Sequence, residues 1–411
     1  LFTTFTANLA SDIKDNLRKI CSLEEMNHIE VINLDAWVAR FLREQGYSAE
    51  IIYDSQIMEL WENAYSLADG DTGLPISFFD EEWNRVVVTQ EAFSFEQYVK
   101  ASRNGRGTRL DRKKRIQIWK VFEAYQNLMK EKQVRDINMA MYECRTLISK
   151  KTQNAVYQHI IVDEAQDLSA SAFRLLRTLA GNERPNDLFI VGDAHQRIYK
   201  NRAVLSQCGI NIRGRSSVLK LNYRTTEEIR KFAFALLKGI SFDDLDESID
   251  LGDKCTSLTH GDRPMVLSFR DANEEMDFVI SEVSRLNSSG VLLKNICIVA
   301  RTHRLIEDYA AQLTKNGIRI FEVKRNKTDD RGLDGLRIAT MHRVKGLEFQ
   351  YVFIVAVNDK IIPLASAIDH TDSVSEQESI ISEKCLFYVA LTRAQKAAYI
   401  TNYGRKSEFI E

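Results

Sequence analysis

The segment His159-Ile-Ile-Val-Asp-Glu-Ala-Gln-Asp167 constrains this chain more than any other. An apolar run, Ile160 to Val162, leads straight into two carboxylates, Asp163 and Glu164. Such a run reads as a strand buried on both faces, as in parallel sheets covered by helices. Ligands of open α/β sheets sit just beyond the carboxyl ends of these strands, so the acid pair stands where chemistry is done. Magnesium takes hard oxygen ligands and keeps several waters. Asp163 can therefore hold the ion, often through water, while Glu164 orients or deprotonates an attacking water. The chain nevertheless contains no Gly-Lys-Ser or Gly-Lys-Thr, the words that end a phosphate-cradling loop.

The surrounding pattern supports parallel α/β domains. Strand-like runs are expected at Leu1–Thr6, His159–Val162, Leu188–Val191 and Val218–Leu221. A second series follows at Met265–Phe269, Ile296–Ala300, Ile318–Val323, Leu336–Ala339, Val352–Val357 and Ala397–Thr401, with helical patterns between them, including Asn8–Ile20 and Thr226–Leu237. From Asp35 to about Lys151 the pattern is almost wholly helical, as in Trp37 and Phe41 or Met58, Trp61 and Tyr65. Asp243–Asp253 and Lys324–Asp334 read as connections, and the polar stretch Ser366–Glu383 as a mobile surface loop.

Composition excludes little. A length of 411 residues with 44% hydrophobic residues allows two or three cores. A net charge of -2 means that any nucleic-acid binding must come from local basic surfaces. The cysteines are scattered singly with no C-x-x-C pair, which fits reduced thiols and a cytoplasmic setting. No apolar run approaches the roughly 18 to 20 residues that cross a membrane.

Further residues could act on a nucleotide. Gln196, beyond the run Phe189-Ile-Val191, can hydrogen-bond a phosphoryl oxygen and a water, although many polar residues at strand ends only cap a turn. Arg224 and Arg393 lie beside aromatic and apolar residues that would hold their stems, and a guanidinium aimed at a γ-phosphate stabilises developing charge. A single arginine taken alone is more often half of a surface ion pair. In Thr340-Met-His-Arg-Val-Lys-Gly-Leu-Glu-Phe349, Lys345 could meet a phosphate, Gly346 permit close approach, and Glu348 accept from a ribose hydroxyl. The basic run Arg103, Arg106, Arg109, Arg112 to Arg115 is either a path for duplex phosphates or a solvated helix face.

Together these words resemble the UvrD/Rep-like superfamily 1 DNA helicases over nearly the whole chain. Their order carries the resemblance: Leu1-Phe-Thr-Thr-Phe-Thr-Ala-Asn-Leu-Ala10, Asp-Glu-Ala-Gln at Asp163, Gly-Asp-x-x-Gln at Gly192, Asn-Tyr-Arg at Asn222, Thr-x-His-x-x-Lys-Gly-Leu-Glu at Thr340, and Tyr-Val-Ala-Leu-Thr-Arg at Tyr388. The resemblance implies an α/β fold: two RecA-like, P-loop NTPase-type parallel-sheet domains, the first incomplete, with a helical insertion. The expected division is 1–34 and 152–222 for the first domain, 35–151 for the insertion, and 223–411 for the second domain. The large accessory domain usual in Rep-like enzymes is expected to be absent, since only Lys324–Gly335 stands in its place.

By the same resemblance ATP would lie between the domains. Asp163 would bind Mg2+, Glu164 would activate water, and Gln196 would couple the γ-phosphate to DNA. Arg224 and Arg393 would be the fingers, and Tyr223 would stack on the base. Phe5, Tyr199, Arg202 and His342 would contact DNA, with Asn201 replacing an aromatic platform. The implied activity is an ATP-dependent, 3′ to 5′ DNA helicase or translocase acting on single strands and their junctions with duplex, in repair, replication or defence, with weak or partner-dependent unwinding. The alternative is a catalytically silent DNA-binding or regulatory subunit. Because the first motif normally follows the phosphate loop, the chain is expected to begin inside a domain and to hydrolyse little ATP by itself.

Overall fold

The apolar run ahead of Asp163 becomes the middle strand of a small parallel sheet. The computed structural model describes residues 1–68, 72–151, 155–199, 203–243, 249–250, 255–324, 329–330 and 332–410. In it β1 (Phe2–Thr4) and β3 (Leu188–Ile190) flank β2 (Ile160–Asp163). The register sets Thr4 opposite Asp163, so the chain leaving β1 reaches the sheet edge beside the acid pair. Thr6 then caps the helix Ala7–Ile20, its side chain accepting from the Leu9 amide.

The second sheet has six parallel strands: β4 (Met265–Phe269), β5 (Ile296–Ala300), β6 (Ile320–Glu322), β7 (Leu336–Thr340), β8 (Phe349–Ile354) and β9 (Ala394–Tyr403), in the order β4-β9-β8-β5-β7-β6. Side chains alternate between its faces. Cys297 and Val299 enter one apolar core, while Ile296, Ile298 and Ala300 enter another. This two-sided burial is why β5 is apolar throughout. These strands and the first sheet confirm the expected α/β class of two RecA-like domains.

The segment between the first two strands carries helices such as Leu34–Glu44, Asp54–Leu67, Arg112–Glu131 and Ile137–Lys151. Its core is aromatic, with Trp61 stacked on Tyr125 at 3.6 Å. One correction arises here: Glu50–Ile52 and Val134–Asp136 pair as a short parallel ribbon within the segment expected to be almost wholly helical. Three residues are too few to show a strand period in sequence.

A larger correction concerns Ser366–Glu383, read as a mobile loop. Ser373 to Leu391 is one helix, with Asp372 as its cap, accepting from the Val374 and Ser375 amides. Its buried polar residues have partners: Ser379 donates to the Ser375 carbonyl, and Glu383 accepts two bonds from Arg301 and one from the Leu364 amide. Polar residues paired inside a fold erase the apolar periodicity that marks a helix.

The expected strand at Val218–Leu221 shrinks to Leu221–Asn222, with Val218 and Leu219 exposed. Much of Asp243–Asp253 lies outside the described residues. Of the short connection Lys324–Gly335, the described part is pinned by the buried Arg337, which donates to Asp329 and to the carbonyls of Asp330, Leu333 and Gly335. No described helix is long and apolar enough to cross a membrane.

Candidate nucleotide and nucleic-acid site

The end of β2 places Asp163 and Glu164 at the edge of the first sheet. Asp163 accepts from the Glu164 amide at 2.9 Å. Burial, and then the charge of Glu164, raise the Asp163 pKa above the usual carboxylate range. A cation would relieve this crowding, and the donor is the hard oxygen that magnesium takes. Among the described residues no group of three or more His, Cys, Asp or Glu side chains could hold a metal alone. That suits an ion completed by phosphate and water.

Glu164 has φ +53°, a left-handed conformation unusual for a residue with a side chain. Its carboxylate accepts from Gln166 Nε2 at 2.5 Å, and Gln166 Oε1 accepts from the Asp193 amide at 3.0 Å. Asp193 in turn accepts from Gln196 Nε2 at 2.8 Å. The polar ends of two neighbouring strands are thereby tied together.

The second domain meets this edge through Arg393 and Lys345. Arg393 is 1% exposed and donates to the carbonyls of Val389 and Leu347, which leaves Nη2 to reach Gln196 Oε1 at 2.9 Å. Burial, and then the neighbouring cation Arg224, lower its pKa to about 10, so it stays charged at neutral pH. Lys345 is held by Asp167, by the Gln196 carbonyl at 2.6 Å and by Glu164 at 3.5 Å. The residue expected at a phosphate is here a buried strut between domains.

Arg224, expected as a finger, pairs with Glu348, expected at the ribose, at 3.0 Å with both half exposed. They line a cleft of about 720 Å³ together with Asp12, Asn16, Lys19 and Gly346. That volume suits a nucleotide. Gly346 has φ +80° and faces Leu9 across the cleft, so glycine is needed there for its backbone. Tyr223 is 72% exposed, leaving its ring open to stack.

Three of the residues expected at DNA come together. Phe5 lies 4.8 Å from Tyr199, and Tyr199 lies 6.3 Å from His342, ring centre to ring centre. This aromatic row links the two domains. Burial, and then Arg301, lower the His342 pKa to about 4, so its ring is neutral at physiological pH. Arg202 and Asn201 lie outside the described residues. The basic run divides in two. Arg103 and Arg106 pair with the buried acids Glu81 and Glu82, and Arg115 donates to backbone carbonyls, whereas Arg109, Arg112, Lys113 and Lys114 are exposed.

Reading residues in sequence missed Gln166, Asp167 and Asp193. Each lies inside a word already singled out, and the signal was their spacing from the acids. Gln166 and Asp167 are buried, so their polar atoms must find partners among the neighbouring groups, while the partly exposed Asp193 accepts from Gln196.

The model of the UvrD/REP helicase N-terminal domain matches residues 1–207, and that of the UvrD-like helicase C-terminal domain matches 217–333 and 322–405. A probable DNA helicase of Mycoplasma pneumoniae is 22% identical, the match covering 98% of this chain and 74% of that protein. DNA helicase IV of Escherichia coli is 24% identical over 72% of this chain and 42% of its own length. The mitochondrial ATP-dependent DNA helicase HMI1 of Saccharomyces cerevisiae is 29% identical over 44% of this chain and 26% of its own length. The chain thus spans about three quarters of the first relative and less than half of the other two. With the two domain models matched in order along nearly its whole length, the chain belongs to the UvrD/REP helicase family.

Proposed function

We propose that the full-length protein is an ATP-dependent DNA helicase or translocase, in which hydrolysis between two RecA-like domains drives movement along single-stranded DNA, 3′ to 5′ by family resemblance. The observation that carries this reading is the 2.9 Å bond from Arg393 of the second domain to Gln196 at the edge of the first, beside Asp163 and Glu164. The proposed division is 1–34 with 152–222, 35–151, and 223–411.

Asp163 would hold Mg2+, and bound MgATP supplies the phosphoanhydride bond and a cation that offsets phosphate charge. Glu164 takes the proton of the attacking water. Gln196 reports the state of the γ-phosphate, while Arg224 and Arg393 offset charge that grows in the transition state. Tyr223 stacks on the base, Glu348 accepts from the ribose, and Gly346 allows close approach. Arg224 must leave Glu348 or share it to serve as a finger. Lys345 acts through Asp167 and Glu164, holding the second domain against the hydrolytic edge. Phe5, Tyr199 and His342 give sequence-tolerant stacking for a strand passing between domains, and Arg202 adds charge. Single strands and their junctions with duplex are the proposed substrates, with a protein partner assisting unwinding in the cytoplasm.

The test is ATP hydrolysis by the full-length protein with and without single-stranded DNA. Stimulation by DNA, and loss of turnover with retained nucleotide binding in Glu164→Gln, are expected. Absence of hydrolysis with DNA binding intact would instead establish the silent subunit.

A further inference from the structure

We infer that Gln166 is a positioning residue, which holds the water-activating Glu164 in register with the arginine that arrives from the second domain. The inference rests on the function proposed above. Gln166 is 2% exposed, so water cannot substitute for its partners. Both ends of its amide are spent on the site: Nε2 donates to Glu164 at 2.5 Å, and Oε1 accepts from the Asp193 amide at 3.0 Å. These partners fix the orientation, because a flipped amide would set oxygen against carboxylate and N–H against N–H.

The linkage continues on the far side of Asp193. Its carboxylate accepts from Gln196 Nε2 at 2.8 Å, and Gln196 Oε1 accepts from Arg393 at 2.9 Å. Glu164 and Arg393 thus stand at the two ends of one hydrogen-bonded series, with Gln166, Asp193 and Gln196 between them. A shift of Arg393 on domain opening changes the pull on Gln196, and through Asp193 and Gln166 it reaches the carboxylate that must meet the water. Since Glu164 is held with φ +53°, its placement depends on such side-chain bonds more than a relaxed residue would.

Gly192 gives this account a second handle. A Cβ there would lie 2.9 Å from Gln166 Oε1 and 3.2 Å from the Gln166 amide nitrogen. The glycine is required by the approach of Gln166, since its φ lies outside the left-handed range. A side chain at 192 displaces Gln166 without removing it.

The experiment measures DNA-stimulated ATP hydrolysis by the full-length protein, its Gln166→Met and Gly192→Ala variants and the double variant, with thermal unfolding of each. Met nearly conserves volume and removes both hydrogen bonds. Each single variant is expected to lower kcat roughly 10- to 100-fold with KM for ATP changed less than about twofold, the signature of lost positioning. The double variant should be little worse than either single one, because both act on one linkage. If Gln166→Met does not fold, Gly192→Ala carries the decision. An active parent whose variants keep kcat within about twofold, or lose KM and kcat alike, overturns the inference alone. Multiplying effects in the double variant overturn it as well. A parent with no DNA-stimulated turnover overturns the proposed function and this inference with it.

Discussion

The second domain touches the rest of the molecule at two seams of different character. At the inner seam Lys345 meets Asp167 and the Gln196 carbonyl, and Arg393 meets Gln196, with Lys345, Asp167 and Arg393 each no more than 5% exposed. At the outer seam Arg85 of the helical segment pairs with Glu378 at 2.6 Å, and Thr108 donates to Asp372 at 2.8 Å. One helix serves both: Asp372 caps Ser373–Leu391, and Arg393 follows its end. The difference lies in the cost of parting. A buried ion pair is expensive to break because a charge is left without water, whereas a pair near the surface is replaced by water at little cost. The inner seam therefore parts only at a cost, whereas the outer seam parts and re-forms readily.

The sharpest attempt to break this contrast is Lys345→Met. It removes the cation hydrogen-bonded to Asp167, which is 0% exposed, and should cost about 3–5 kcal/mol in chemical denaturation. A loss under about 1 kcal/mol would show that the inner seam is no tighter than a surface contact. Asp80 sharpens the role of the partner. Burial raises both Asp167 and Asp80 to about 6, but Asp167 faces Lys345, whereas the side-chain donors to the Asp80 carboxylate among the described residues are the neutral Trp61 and Asn84. Since the folded pKa of Asp80 exceeds its unfolded value, the folded state binds more protons. That stability is fully present below pH ~4 and is lost as pH rises through about 6. Asp80→Asn should therefore stabilise the helical segment at pH 7–8, by on the order of 2 kcal/mol, and flatten the decline. Denaturation at a series of pH values measures this, and a variant as pH-dependent as the parent would remove Asp80 from the account.

Physical reasons decide how much of this was legible in the sequence. β4 and β5 were read to the residue, and in β5 burial on both faces leaves an unbroken apolar run. β2 was legible for the same reason, and its acids announced the site. The helix Ser373–Leu391 was not, because Ser375, Ser379 and Glu383 are buried against hydrogen-bonding partners that no periodicity reveals. Gln196 and Arg393 were picked out as residue types suited to phosphate, and they lie 2.9 Å apart. The surroundings of Lys345 were hidden, since sequence supplies a cation but not the acids that will claim it. Gln166 was hidden too, because an amide shows its use only when both ends have partners.

At the outer seam the larger effect belongs to Gly107. A Cβ there would lie 2.1 Å from Asp372 Oδ1, a carboxylate held by the helix amides it caps. Gly107→Val should cost about 1–2 kcal/mol by pushing the seam open or unseating the cap. Denaturation reads the cost, and limited proteolysis reads the opening. Equal stability and unchanged cleavage would mean that the loop yields freely.

The smallest effect is expected from Arg85→Ala, and it tests the contrast from the other side. The side chains of Arg85 and Glu378 are 17% and 14% exposed, so the pair is partly desolvated but within reach of water. Arg85 Nε is buried with no hydrogen-bond partner among the described residues, a cost that offsets part of what Nη1 gains from Glu378. A double-mutant cycle of Arg85→Ala and Glu378→Ala should give a coupling of about 0.2–1 kcal/mol, falling as salt rises. A coupling above about 2 kcal/mol that ignores salt would make the outer seam as firm as the inner one. The helix Ser373–Leu391 would then be clamped at both ends, and movement between the domains would have to come from elsewhere in the fold.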